Sequence, residues 1–219
     1  MSSFMPEGLD SFAWIILGVL GIVSIFALTV AFYKVFQFAA LGVGRRKAPD
    51  QIVERWLAGD GETALQMAGK RDTSAVRVLF AALSGLKSAP NNPHYVRELA
   101  TQSALDELGL MTGRMRALEA VVQAAPMLGL LGTVVGMIEA FGKLSQSAGA
   151  VDPSVLAGGI WTALITTAVG LAIAIFFYFI SIWLEGRISG ERAAIERLIS
   201  AVLNGTVDTA RPDQNRTSV

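Results

Sequence analysis

An all-α membrane protein with three transmembrane helices is the fold class this sequence predicts, and three observations predict it. The chain of 219 residues is 53% hydrophobic and 16% charged, with a mean hydropathy of +0.51, which does not fit an ordinary soluble globule. Three charge-free runs approach or exceed the roughly 20 residues that a helix rising ~1.5 Å per residue needs to cross a hydrocarbon core of ~30 Å. Outside them, helical apolar spacings are punctuated by Gly and Pro, and no strand alternation occurs.

Taken in chain order, residues 1–10 form an outer N-terminal segment. The first run, Ser11 to Tyr33, lies between Asp10 and Lys34 and has 23 residues. It lacks the basic leader of a signal peptide and exceeds the usual apolar length, so it reads as a retained span. Residues 34–119 read as a cytoplasmic helical domain with short helices at Pro49 to Leu57, Glu62 to Gly69 and Ala75 to Leu86. A longer helix opens at Asn92-Pro93, where Asn caps free amides and Pro suits the first turn. Its stripe Ala104, Leu108, Met111, Met115, Leu118, Val122 has spacings of 4, 3, 4, 3, 4. With no breaker after it, the sequence predicts one continuous helix from Asn92-Pro93 into span two, bent at Pro126.

Span two, Ala120 to Ile138, has 19 residues, and residues 139–152 read as a short outer loop. The third run, Pro153 to Leu184, has 32 residues. At ~48 Å it crosses once and projects beyond the bilayer. Residues 185–219 continue it as an amphipathic helix with Ile188, Ile195, Leu198 and Val202, stopping near Asn204-Gly205, and then as a polar tail from Asp208 to Val219 read as disordered. Arg192 and Glu196 are spaced for an i, i+4 pair, but such exposed charges read rather as a solvated face.

Orientation follows from basic residues near the span ends. Lys34, Arg45, Arg46, Lys47, Arg114, Arg116, Arg187, Arg192 and Arg197 fall on one side and Lys143 alone on the other. The positive-inside rule then predicts an N-out, C-in chain. Trp14, Trp161 and Trp183 sit where interfacial anchors are expected.

Composition narrows the chemistry. Eighteen basic and 18 acidic residues cancel, so no electrostatic footprint for nucleic acid exists. The absence of cysteine removes disulfides, thiolate nucleophiles and cysteine metal sites, and a single histidine, His94, removes histidine-cluster sites. No cofactor, metal or enzymatic activity is expected.

The spans carry the remaining signal. In span two, Ala125, Gly129, Gly132 and Gly136 fall at spacings of 4, 3, 4, and in span three Gly159, Ala163, Thr167, Gly170 and Ala174 fall at 4, 4, 3, 4. The glycines lack the strand, Lys and Ser/Thr context of a phosphate loop. Both sets read as small-residue faces for close helix packing. Thr133 and Thr162 lie roughly 10–14 Å below the outer surface, with Thr166 and Thr167 about one turn deeper. Such hydroxyls either return a hydrogen bond to a carbonyl one turn back, line a hydrated pathway, or form a polar partner surface. No carboxylate, Lys, Arg or His lies inside a span, and Glu139 at the outer boundary either ends span two or serves as an outer entry carboxylate. Proton transport would therefore need an acceptor on another polypeptide, enclosed by repeated copies of this three-span chain.

The segments Ala125-Pro126-Met127-Leu128-Gly129-Leu130-Leu131-Gly132-Thr133-Val134-Val135-Gly136-Met137-Ile138 and Gly159-Ile160-Trp161-Thr162-Ala163-Leu164-Ile165-Thr166-Thr167-Ala168-Val169-Gly170-Leu171 resemble the MotA/TolQ/ExbB proton-channel family, its ExbB/TolQ branch best. The resemblance implies an inner-membrane ring, typically of five copies, around the helices of two ExbD- or TolR-like subunits whose membrane aspartate carries protons. It further implies coupling of inward proton flow to outer-membrane transport or envelope maintenance, with a TonB- or TolA-like protein as a further partner. In that picture Thr133 and Thr167 match the pore threonines. Two positions depart: Thr162 stands where the branch usually carries Glu, and Phe176 where it usually carries Pro, which leaves span three straighter. Thr162 with Thr166 would then relay through water, or Glu139 would serve as the outer carboxylate. A flagellar-type stator component fits less well, since such chains usually have four spans. A non-conducting membrane scaffold is the alternative of a different class.

Overall fold

The computed structural model describes residues 11–70, 72–146 and 153–205. Those residues form seven α-helices and no strand: α1 (Ser11–Leu41), α2 (Lys47–Leu57), α3 (Gly61–Ala68), α4 (Ser74–Ser88), α5 (Pro93–Thr112), α6 (Met115–Gln146) and α7 (Pro153–Asn204). The protein is an all-α membrane protein, with three apolar stretches, carried by α1, α6 and α7, long enough to cross a bilayer. The segments 1–10 and 206–219, including the tail from Asp208, lie outside the described residues.

The chain divides into two compact units. The membrane unit gathers the chain up to Lys34 with Arg114–Leu184, and the helical unit gathers Val35–Gly113 with the chain from Glu185 onward. In the membrane unit Ile16 and Leu20 of α1 pack with Ala125 of α6 and Ala174 of α7, with Leu128, Val169 and Ile173 around them. Much of its remaining apolar surface faces outward, including Ile22, Ile25, Phe26, Met127, Trp161 and Phe179. Such all-round apolarity suits a helix whose solvent is lipid or a neighbouring span.

In the helical unit a conventional core forms. Ile52 and Val53 of α2, Ala64 and Ala68 of α3, and Val76, Leu79 and Leu83 of α4 meet Ala100 and Ala104 of α5 and Ile195, Leu198 and Val202 of α7. Local chemistry starts α3, α4 and α5: Asp60 Oδ1 accepts from the Thr63 amide at 3.3 Å, Thr73 Oγ1 from Val76 at 3.3 Å, and Asn92 Oδ1 from Tyr95 at 3.1 Å. Pro93 follows Asn92 in the first turn of α5. Gly205, with φ +67°, closes α7 at the position its sequence predicts.

One expectation is corrected. The continuous helix from Asn92-Pro93 into span two is broken at Gly113-Arg114. Gly113 is extended (φ −50°, ψ 139°) and Arg114 is left-handed at φ +64°. A left-handed non-glycine residue is costly by roughly 1–2 kcal/mol. The Arg114 guanidinium lies 4.6 Å from the Tyr33 ring centroid, and this cation–π contact offsets part of that cost. Glycine at 113 was the breaker the periodicity concealed. Helix α6 also stays helical beyond Ile138, through Glu139, to Gln146.

Candidate functional site

The two small-residue faces meet along α6 and α7 in the membrane unit. A Cβ on Gly129 would stand 2.9 Å from both the Thr166 carbonyl oxygen and Thr167 Cα, and one on Gly170 would stand 2.5 Å from the Ala125 carbonyl oxygen and 3.1 Å from Gly129 Cα. A Cβ on Gly132 would overlap the Thr166 side chain. Further along, Gly136 faces Ala163 (3.1 Å from its Cβ), and Gly159 faces Ala140 (2.5 Å). Ala163 and Ala174 are buried. These distances lie inside ordinary side-chain contact, so hydrogen at these α-carbons is what lets the backbones approach.

That approach sets the threonines. Thr167 Oγ1 donates across the interface to the Gly129 carbonyl at 2.8 Å. Thr166 Oγ1 donates to the Ala163 carbonyl of its own helix at 2.7 Å and lies 3.4 Å from the same Gly129 oxygen. Thr133 Oγ1 donates to Leu130, three residues back, at 2.7 Å. Their exposure divides them: Thr166 is 0% and Thr162 4% exposed, whereas Thr133 and Thr167 are partly open. Thr166 thus fills the notch over Gly132 inside the chain, and Thr133 and Thr167 present surface to whatever lies beside the pair. Glu139 is partly exposed and sits beside Ala140, which Gly159 faces. Within the spans the pair offers hydroxyl oxygens and no carboxylate or basic side chain.

Several polar contacts in the helical unit escaped sequence reasoning. Arg77 Nε and Nη2 donate to Glu107 Oε1 and Oε2 at 2.5 and 2.6 Å, and Glu107 is buried. The Glu107 hydrogen bonds hold the Arg77 guanidinium above its ordinary pKa, against the opposing effect of burial. Glu191, 2% exposed, accepts from the Gly44 amide at 2.9 Å and lies 3.8 Å from Arg46 Nη2. Arg187 donates to the Val43 carbonyl at 3.1 Å and Arg46 to that of Gly190 at 2.9 Å. The signal was present: Glu107 interrupts the apolar stripe between Ala104 and Met111, and Glu191 occupies the missing step between Ile188 and Ile195. Arg192 and Glu196 do pair, at 2.9 Å, with both side chains exposed.

Comparison with known proteins completes the picture. The profile of the MotA/TolQ/ExbB proton channel family matches residues 70–197. A putative biopolymer transport protein ExbB homolog of Methanothermobacter thermautotrophicus is 33% identical over 153 residues, covering 70% of this chain and 52% of the archaeal protein. A putative ExbB-like protein 1 of Synechocystis is 32% identical over 180 residues, 78% of this chain and 68% of that one. Biopolymer transport protein exbB1 of Vibrio cholerae is 46% identical over a shorter stretch of 61 residues, 28% of this chain and 27% of its own length. The chain therefore spans about half the length of the archaeal relative and about two thirds of the cyanobacterial one.

Proposed function

The chain belongs to the MotA/TolQ/ExbB proton channel family, on its ExbB-like branch, and from that premise we propose that it is the ring-forming subunit of a proton-driven motor in the bacterial inner membrane. Copies of the chain, five by resemblance, surround an ExbD/TolR-like single-span protein with a membrane aspartate. Proton flow through the ring drives relative motion, which energises transport across the envelope or its maintenance, through a TonB- or TolA-like protein. The asymmetry of Lys and Arg supports an N-out, C-in arrangement. No step in this reading is enzymatic.

The observation that carries the reading is the α6–α7 pair itself. Gly129 and Gly170 bring the backbones together, and Thr167 and Thr133 keep hydroxyl oxygens at a partly open face. No span residue of this chain ionises as a carboxylate, ammonium, guanidinium or imidazolium. A path that has hydroxyls and no acid calls for the acid from another chain. Thr133 and Thr167 are the proposed pathway residues. Thr162 and Thr166, buried within the chain, support them from behind, and Glu139 is the proposed outer entry carboxylate.

The reading is tested by purifying the chain with its co-expressed partner into proteoliposomes and following proton uptake under an imposed pH gradient. Uptake that depends on the partner's membrane carboxylate is expected. A complex that assembles yet never conducts under any gradient would leave a scaffold as the better description.

A further inference from the structure

The turn between α5 and α6 places its strain on an unexpected residue. Gly113 is extended (φ −50°, ψ 139°) and Arg114 is left-handed (φ 64°), the pattern of a type II turn, which favours glycine at its second central position. Here glycine stands first and arginine takes the positive φ. Such strain persists only where the surroundings hold it. Two restraints from α1 do so. The Tyr33 ring lies under the Arg114 guanidinium, 4.6 Å from it, and Gln37 Nε2 donates at 3.0 Å to the Leu110 carbonyl. In an unbroken helix that carbonyl would accept from the Arg114 amide. Tyr33 and Gln37 are four residues apart, one turn along one face of α1.

The same stretch of sequence favours the opposite arrangement. Ala104, Leu108, Met111, Met115, Leu118 and Val122 keep spacings of 4, 3, 4, 3, 4 across the break, and Ala104, Met111, Met115 and Leu118 are buried on both sides of it. That is the pattern of a single helix. Closing the break would relieve the left-handed arginine and restore helical hydrogen bonds, at the cost of the ring contact and the Gln37 bond. The ring contact is not sealed in a core: Arg114 is exposed and Tyr33 is 47% exposed. A sequence that favours one arrangement and contacts that favour another make a two-state element.

We propose that the Gly113–Arg114 junction is a conformational switch, broken in this structure and continuous in a second state, with Tyr33 and Gln37 of α1 as its catch. Release of the catch joins α5 and α6 into one helix from Pro93 to Gln146. The continuity of the helix that carries Gly129 and Thr133 is thereby tied to its contact with α1. The switch does not depend on the proton-motor reading and stands or falls separately from it.

The test is hydrogen–deuterium exchange of the full chain in lipid nanodiscs, read on peptides covering residues 110–118. In a continuous helix the amides of Arg114, Met115 and Arg116 would bond to the carbonyls of Leu110, Met111 and Thr112. At the break they precede or open α6, where the first amides have no acceptor within the helix. Native chain is expected to exchange fast at these three amides. Tyr33→Leu, which removes the ring, and Arg114→Ala, which removes the guanidinium but keeps a residue disfavoured at positive φ, are each expected to slow them by about tenfold or more. Arg114→Gly also loses the guanidinium but tolerates the left-handed turn, and is expected to stay fast. Arg114→Ala carries the test if Tyr33→Leu fails to fold, because Arg114 is exposed. Exchange as fast as native in Arg114→Ala, or equally slow in Arg114→Gly, overturns the switch, and so does a native chain already protected at these amides.

Discussion

Thr133 and Thr167 differ in what holds their hydroxyls, and the difference separates two kinds of failure. The Thr133 bond is internal to α6, so Thr133→Val removes a hydroxyl from the proposed pathway and breaks no contact between helices. It is expected to abolish proton uptake while leaving assembly unchanged on native gels; normal uptake would remove Thr133 from the pathway. Thr167 also ties α7 to Gly129, so Thr167→Val is expected to lose uptake and to lower the thermal midpoint in detergent as well, the missing bond contributing about 1 kcal/mol. In the helical unit, Gly42 carries both a left-handed backbone, φ +67°, and a Thr73 methyl 2.5 Å from where a Cβ would stand. Gly42→Ala should therefore destabilise that unit by roughly 1–3 kcal/mol, measurable by denaturant titration, and an unchanged midpoint would refute the strain.

Between elements, the α6–α7 seam is written in paired small residues, and one pair allows a compensation test. A Cβ on Gly159 would meet Ala140 Cβ at 2.5 Å, but Ala140 Cα only at 3.4 Å. Gly159→Ala alone should destabilise the membrane unit by about 1–3 kcal/mol, and adding Ala140→Gly should recover most of the loss. Additive losses in the double variant would mean that the two positions do not touch. In the helical unit, α4 and α5 are joined by Arg77 and Glu107. Glu107→Ala should cost about 2 kcal/mol, less than a fully buried pair because the Arg77 side chain is 28% exposed. A raised guanidinium pKa contributes stability below the unfolded value, lost only as pH rises through the folded one, so this arginine contributes no pH dependence near neutrality. A Glu107→Ala melt no different from native would contradict the assignment.

What was legible at this scale follows from what periodicity can see. The helices and the end of α7 at Gly205 followed from spacing, caps and glycine, because those are local. The break at Gly113-Arg114 was not legible, since an apolar stripe runs through it unchanged and the decision rests on a left-handed arginine and its ring contact. Residue counting could single out the threonines but not orient them. Which hydroxyl faces inward depends on the rotation of α7 against Gly129 and Gly132, a long-range property that no single helix encodes. Glu107 and Glu191 show the same limit, their positions readable as irregular steps in a stripe and their partners, 30 and 147 residues away, not.

At the scale of the whole molecule, a membrane protein with three helices long and apolar enough to cross a bilayer also has a helical unit built from the chain segments between and after them, and it belongs to the MotA/TolQ/ExbB proton channel family. The spans offer hydroxyls without an acid, so the central claim is that the chain works as several copies around a helix of another protein. The most direct measurement is native mass spectrometry of the chain extracted gently from its own membrane, with every co-purifying protein identified. A ring of several copies holding a minority single-span protein with one membrane aspartate is the predicted result. A monomer or dimer without any acid-bearing companion under the mildest extraction would contradict it.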